Sequence, residues 1–408
     1  MQKLIILILF GLCLQFSIAG SPAFAGKNDA VKINAALKAL QEDKPAKALE
    51  LLTHMLEQPK PEITALLIAG NAYMQLGENE KALALYQKGV AIFPNDIGLL
   101  QNKAIALYYL QRFSPAGDAF ALLSKFQLAK AKEIKEEVEA KTGQAPAWYK
   151  SQYQAAVCYY KSEHYNKALT AVMPLLSYGK TSQNVDAKKL LAHIYIALEQ
   201  WKKASVQLDI LVATHSKDRS LWLLLANVNI RQNRLTKASS ALQVAHCMQP
   251  PTRSECVRLA KLYLQVNAPL LASKILLASP QKLTASQHDL MAIAYERAGY
   301  VEKAVLSLQE AIALEDTSKR HLEFGKLLYR NQLYEKAIEP LNVAYTKAKK
   351  KGLPLYLLGQ CFLNMNNYNK ATTLFVKAKK YRSVRSNAKN ALSLIKHIQR
   401  MQQESVTG

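Results

Sequence analysis

The sequence predicts an all-α solenoid of about ten helix-turn-helix repeats, closed by a C-terminal capping helix. Three observations carry that prediction. Ten alanines recur almost in phase, at Ala48, Ala82, Ala116, Ala168, Ala204, Ala238, Ala272, Ala304, Ala337 and Ala371. Most of the gaps between them are 34 residues, the others run from 32 to 36, and one is 52; a period near 34 is that of a helical-hairpin repeat. Apolar residues fall at helical spacing and no strand-like alternation persists. Half of the residues are hydrophobic and only 15 are glycine. Length alone would suggest two or three domains, but a solenoid grows by adding units, each burying its apolar face on its neighbour.

The first element, residues 1–25, reads as a secretory signal peptide. Lys3 precedes an apolar run over 4–19, and Ala23, Phe24 and Ala25 offer small residues at cleavage spacing, so cutting is expected before Gly26. A retained anchor is the alternative, although the run falls short of the ~20 residues a span needs. Leu12 stands before Cys13 where a lipoprotein signal wants a small residue. No later segment is apolar enough to cross a bilayer. The expected location is therefore the periplasm of a Gram-negative bacterium.

Residues 28–123 hold three repeats. The second shows the pattern most fully: Leu66, Ala69, Gly70 and Tyr73, then Ala82, Tyr86 and Pro94. Leu66, Ala69 and Tyr73 make one apolar helical face. Small residues at Gly70 and Ala82 let the two helices of a hairpin cross closely. Gly77 ends the first helix by accepting a left-handed conformation, and Pro94 stops the second. On these residues the chain resembles the tetratricopeptide repeat (TPR) superfamily, whose spacing is W-x2-L-G-x2-Y, A-x3-F, P. The same resemblance runs through Trp222, Leu225, Ala226, Ala238, Leu242 and Pro250, and through Leu358, Gly359, Phe362, Tyr368, Ala371 and Phe375. It implies a TPR-like right-handed superhelical solenoid.

The 52-residue gap holds 124–146, a charged helical extension or linker dense in Lys and Glu and ended by Pro146. Two readings stand: a hinge, or a long helix packed continuously into the array. Seven further repeats occupy 147–382. The last segment, 383–408, is expected to form the capping helix and tail, with Val384, Ala388, Ala391, Leu392, Ile395 and Ile398 at helical spacing. A membrane-binding amphipathic helix is the other reading of that segment.

Export permits disulfides. Cys158 and Cys361 fall inside helices as small buried thiols, whereas Cys247 and Cys256 flank the Pro250–Pro251 turn, where a bridge is conceivable. Their spacing fits neither a CxxC pair nor a zinc site. The net charge is +24, and between 341 and 400 there are thirteen Lys and Arg and no Asp or Glu. This basic patch comprises Lys347, Lys349, Lys350, Lys351, Lys377, Lys379, Lys380, Arg382 and Arg385, with Lys389 beyond. In an exported protein nucleic acid is not the expected partner; lipid headgroups, lipopolysaccharide phosphates, cell-wall carboxylates or an acidic protein are. The alternative is that the charge merely keeps the protein soluble.

No HExxH, GxSxG, GxxxxGK[ST] or GxGxxG motif occurs, and the eight histidines are scattered without metal-ligand spacing. These absences point away from an enzyme and from any cofactor or metal. In the TPR superfamily the concave face is lined mainly by the first helix of each hairpin and holds an extended peptide or helix. Carried onto this chain, that geometry nominates Asn71, Gln75, Gln101 and Tyr108, then Asn227, Arg231, Arg258 and Lys261, then Lys326, Tyr329 and Arg330. Amides pair with a ligand backbone, and Arg and Tyr make strong anchors. The chaperone-binding members use a Lys and Asn carboxylate clamp; here Leu67 and Leu223 stand where the lysine would beside Asn71 and Asn227, which argues against a C-terminal carboxylate ligand.

The segments 222–227, 259–264 and 268–276 are also similar to TPR proteins associated with TonB-type energy transduction. That resemblance implies a periplasmic scaffold assisting an inner-membrane energy-transducing complex. The leading expectation is thus a non-enzymatic periplasmic adaptor binding a protein on its concave face. The alternative is an envelope-polymer binder that docks on peptidoglycan, lipopolysaccharide or anionic lipid through its basic C-terminal repeats.

Overall fold

Helical hairpins and one final helix make up the residues that the computed structural model describes, namely 27–133, 145–178, 184–279, 281–349 and 351–407. The expected signal peptide, the centre of the 124–146 interval at 134–144, and Lys350 lie outside the described residues. Among the described residues there is no strand. The chain divides into two compact units, residues 1–216 and 217–408.

In the first unit, α1 (Lys27–Gln41) pairs with α2 (Pro45–Glu57), and α3 (Ile63–Gln75) with α4 (Asn79–Ile92). Next come α5 (Ile97–Tyr109) with the long α6 (Phe113–Glu133), α7 (Ala147–Lys161) with α8 (Tyr165–Leu176), and α9 (Val185–Ala197) with α10 (Trp201–Thr214). The second unit pairs α11 (Arg219–Arg231) with α12 (Leu235–Met248), α13 (Arg253–Gln265) with α14 (Pro269–Leu277), and α15 (Ala285–Arg297) with α16 (Val301–Leu314). It continues with α17 (Ser318–Arg330) and α18 (Tyr334–Lys347), then α19 (Gly352–Asn364) and α20 (Tyr368–Ala378), and ends in α21 (Arg385–Thr407) after a short 3-10 turn. The odd-numbered helices through α19 are the first (A) helices of the hairpins and the even-numbered ones the second (B).

Local chemistry starts and stops these helices. The Asp96 carboxylate accepts from the Leu99 amide at 2.8 Å to open α5. Thr252 with Glu255 and Thr284 with Gln287 form full capping boxes at α13 and α15. Each A helix ends in the same turn. Ten residues adopt φ between +56° and +81°: Asp43, Gly77, Gln111, Glu163, Glu199, Asn233, Asn267, Gly299, Gln332 and Asn366. Every one lies five positions before a ladder alanine. The amide that follows reaches back five residues, as from Glu78 to the Tyr73 carbonyl at 2.9 Å and from Arg234 to Asn229 at 2.8 Å. This is the Schellman arrangement, in which the left-handed residue lets the chain reverse while its carbonyls stay paired.

Only two of the ten turns use glycine. A left-handed conformation costs an ordinary L-residue roughly 1–2 kcal/mol, partly offset by the extra freedom glycine has when unfolded. Gln111→Gly, Glu163→Gly, Glu199→Gly and Gln332→Gly are therefore each expected to stabilise the protein by about 0.5–1 kcal/mol, and Gly77→Ala to destabilise it by a similar amount. Urea unfolding of each variant checks this, and a loss of stability on Glu199→Gly would contradict it.

All ten ladder alanines have no exposed surface. Twelve positions earlier, on the A helix, every repeat again carries Ala or Gly, and four positions after the ladder alanine every repeat carries a larger apolar residue. The close approach is between these last two. A Cβ built on Gly70 would lie 2.3 Å from the Tyr86 ring, one on Gly325 2.5 Å from Leu341, and one on Gly359 2.6 Å from Phe375. Gly70 thus packs against Tyr86, one turn beyond Ala82. In α21, Ala388, Ala391 and Ile395 are buried with Val384 against Leu355, Phe375 and Ala378, so this helix covers the last hairpin.

Candidate functional site

The nominated residues all lie on A helices, and the structure bonds several of them to a neighbouring repeat. Asn71 on α3 accepts from the Tyr86 hydroxyl at 2.7 Å and from the Asn102 amide on α5 at 3.2 Å. The Tyr108 hydroxyl accepts from Lys161 of α7 at 2.5 Å, and the lysine ammonium also sits 4.6 Å from the Tyr108 ring centre. Arg258 donates to the Asn227 side-chain oxygen. Lys326 bonds Glu323 within α17 at 2.8 Å. Arg330 grips Glu296 of α15 through two bonds of 2.8 and 2.9 Å. Gln75, Arg231 and Lys261 are exposed, and Gln101 is half-buried. Tyr329 packs against Tyr334 with the two rings tilted at 57°, and burial pushes its phenol above the usual value.

Four contacts between repeats share a spacing. Asn71–Asn102, Asn227–Arg258, Asp289–Arg320 and Asp316–Lys347 each join residues 31 positions apart. Stacked hairpins bring such positions side by side, so these polar pairs hold one repeat to the next. Complementary pairs recurring at 31 are legible in the sequence.

One place on this face opens into a cleft. Between α15 and α17 lies a space of about 540 Å³ lined by Asp289, Ile293, Glu296, Lys319, Arg320, Glu323 and Arg330 among others. Its floor is Arg320, nearly buried, whose guanidinium bonds both Asp289 oxygens through Nε at 3.2 Å and the Glu315 carbonyl at 2.9 Å. Burial opposes the charge on Arg320, but the Asp289 and Glu315 carboxylates outweigh it and raise its pKa. On the rim, Glu296 likewise holds Arg330 firmly charged. Ile293 is left 40 % exposed among these ions. Fixed charges of both signs around one exposed apolar side chain suit an extended polypeptide, which offers amides, charges and an occasional apolar residue. Of the cleft's lining only Arg330 was nominated. Asp289, Ile293, Glu296, Arg320 and Glu323 were missed, because a single repeat shows neither their partners nor the gap between helices.

The basic residues divide. Lys347 is paired with Asp316 at 2.5 Å, and His321 bonds the same carboxylate at 2.8 Å, so Lys347 does not stand free in the patch. Lys351 lies 5.5 Å from the Tyr345 ring centre. Lys349, Lys377, Lys379, Lys380, Arg382 and Arg385 are exposed, and Arg385 Nε donates to the Lys379 carbonyl at 3.2 Å. Cys247 is exposed on α12 and Cys256 buried in α13; both are free thiols, and the structure does not join them. Among the described residues no three His, Cys, Asp or Glu side chains gather to hold a metal ion.

Paired antiparallel helices, a left-handed turn residue and a buried alanine in register define a helical-hairpin repeat protein. Residues 63–106 match the family model of the tetratricopeptide repeat, and in this chain the hairpins on either side of them are TPR-like in fold. Solved structures similar to it include a TPR protein from Parabacteroides merdae, at 13 % identity and a TM-score of 0.35, covering 60 % of this chain and 98 % of that one. YrrB, described as a TPR protein with an unusual peptide-binding site, is 14 % identical with a TM-score of 0.37, covering 45 % and 96 % of the two chains. Yeast Tom70 is 15 % identical with a TM-score of 0.34, covering 92 % and 96 %. No curated protein matches the chain.

Proposed function

We propose that this protein is a non-enzymatic periplasmic adaptor that holds an extended segment of a protein partner along its A-helix face, as an accessory of a TonB-type energy-transducing uptake system. The observation that carries the binding mode is the cleft between α15 and α17, where Glu296, Glu323 and Arg330 surround the exposed Ile293. The location rests on the signal-like residues 1–25, and the energy-transduction role on the resemblance of 222–227, 259–264 and 268–276.

The test uses the mature chain as bait for envelope extract, followed by direct titration of the captured protein. Ile293→Asp places an unpaired charge where an apolar contact is expected, on a side chain exposed enough to leave the fold intact. Binding weakened about tenfold or more, with an unchanged melting temperature, is the expected result. Lys261→Ala should weaken the same complex less. If Ile293→Asp binds as the parent does, the cleft is not the site. If the captured partner is cytoplasmic, or an alkaline phosphatase fusion to residues 1–40 is inactive, the periplasmic reading fails.

A further inference from the structure

The second unit ends in a surface that combines cations with uncovered apolar side chains. In sequence the cations form two clusters, 347–351 and 377–385. In space the clusters meet, because Gly352 is seated under the turn after α20: a Cβ there would lie 2.8 Å from Tyr381 Cβ and 3.1 Å from Ser383 Oγ. Lys347, though exposed, has its charge paired with Asp316.

Helix α21 extends the surface. With Ala388, Ala391 and Ile395 buried, helical geometry puts Arg385, Lys389, Lys396 and Arg400 along one edge of the exposed face. On the other edge, two turns apart, Leu394 and Met401 are 50 % and 57 % exposed. Between the edges runs a strip of exposed Ser386, Asn390, Ser393 and His397, so both edges reach a flat partner at once. Not one carboxylate interrupts residues 341–400.

Cations alone would suit any polyanion. The exposed Leu394 and Met401 beside them decide between partners, since a hydrated linear polymer offers such side chains nothing while a lipid headgroup layer buries them. No helix among the described residues is long and apolar enough to cross a membrane, so the contact is one of surface docking. We propose that this end of the protein docks on the surface of a bilayer containing anionic phospholipid, its cations on headgroup phosphates and Leu394 and Met401 in the headgroup layer.

Flotation of the mature chain with vesicles tests this. Binding is expected to vesicles of phosphatidylcholine mixed with phosphatidylglycerol, and not to phosphatidylcholine alone. Replacing Lys379, Lys380 and Arg382 with Gln together should weaken binding by about 100-fold, whereas Lys347→Gln should leave it unchanged. Leu394→Ser with Met401→Ser should abolish the binding that persists at high salt. Circular dichroism confirms that these surface variants keep their helices. Equal binding to both vesicle types, or no binding to either, overturns the proposal. So does equally tight binding to purified cell wall that is indifferent to the Leu394 and Met401 substitutions, because the partner is then a polymer. Ile293→Asp should not affect vesicle binding, so failure here and failure of the adaptor reading are separate outcomes.

Discussion

Gly70→Ala is expected to destabilise the first unit by about 1–3 kcal/mol, although alanine is the better helix former by about 1 kcal/mol. The added methyl would lie 2.3 Å from Tyr86 Cε1 and 2.4 Å from Cζ. The ring cannot swing aside cheaply. It is fully buried, and its hydroxyl is tied to Asn71 at 2.7 Å. The array itself suggests the remedy: in most repeats whose A helix carries alanine, as at Ala226, Ala260 and Ala292, the facing B-helix residue is a shorter aliphatic one, here Leu242, Leu276 and Leu308, with Ala104 opposite Phe120 the exception. Adding Tyr86→Leu to Gly70→Ala should therefore recover part of the loss, even though Tyr86→Leu alone is harmful because it opens a cavity and leaves Asn71 short of a donor. Urea unfolding of the double-mutant cycle measures the coupling. Strict additivity would mean that glycine is not there to admit the ring.

Arg320→Met is expected to cost the second unit about 2–3 kcal/mol, below the usual range for breaking a buried ion pair because both carboxylates remain partly wet. The Arg320 side chain is only 10 % exposed, against 35 % for Asp289 and 62 % for Glu315. It ties α17 to α15 and to the loop that precedes it, so its loss loosens the floor of the cleft as well as the stack. Adding Asp289→Ala should restore roughly 1 kcal/mol by removing the carboxylate left without its partner. Denaturation read by circular dichroism, with binding of the captured partner measured alongside, tests both consequences. Stability within about 0.5 kcal/mol of the parent would show that the ion pair is not structural.

Much of this was legible in the sequence. The alanine ladder named the repeat, and Gly77 named the turn, which recurs with glycine at Gly299 and is built from Gln, Glu, Asn or Asp in the other eight repeats. Which B-helix side chain meets Gly70 was not legible, because helical phase brings Tyr86 against it and a linear motif does not show that phase. The polar A-face residues were located correctly on their helices, but how they are used was not legible. Asn71, Asn227 and Arg330 stand on the exposed side of their own hairpins, yet each is bonded across to the next or preceding repeat. The division after Ser216 likewise has no mark in composition.

The sequence by itself determined the helices, their turns and the hairpin they form, since every rule involved acts within one 34-residue period. The tertiary structure alone decided which polar groups are consumed as stitches between repeats. It also decided where a cleft opens around Ile293 and which lysines share one surface. Those outcomes depend on side chains about 31 residues apart becoming neighbours, and only the stacking of one hairpin on the next makes them so.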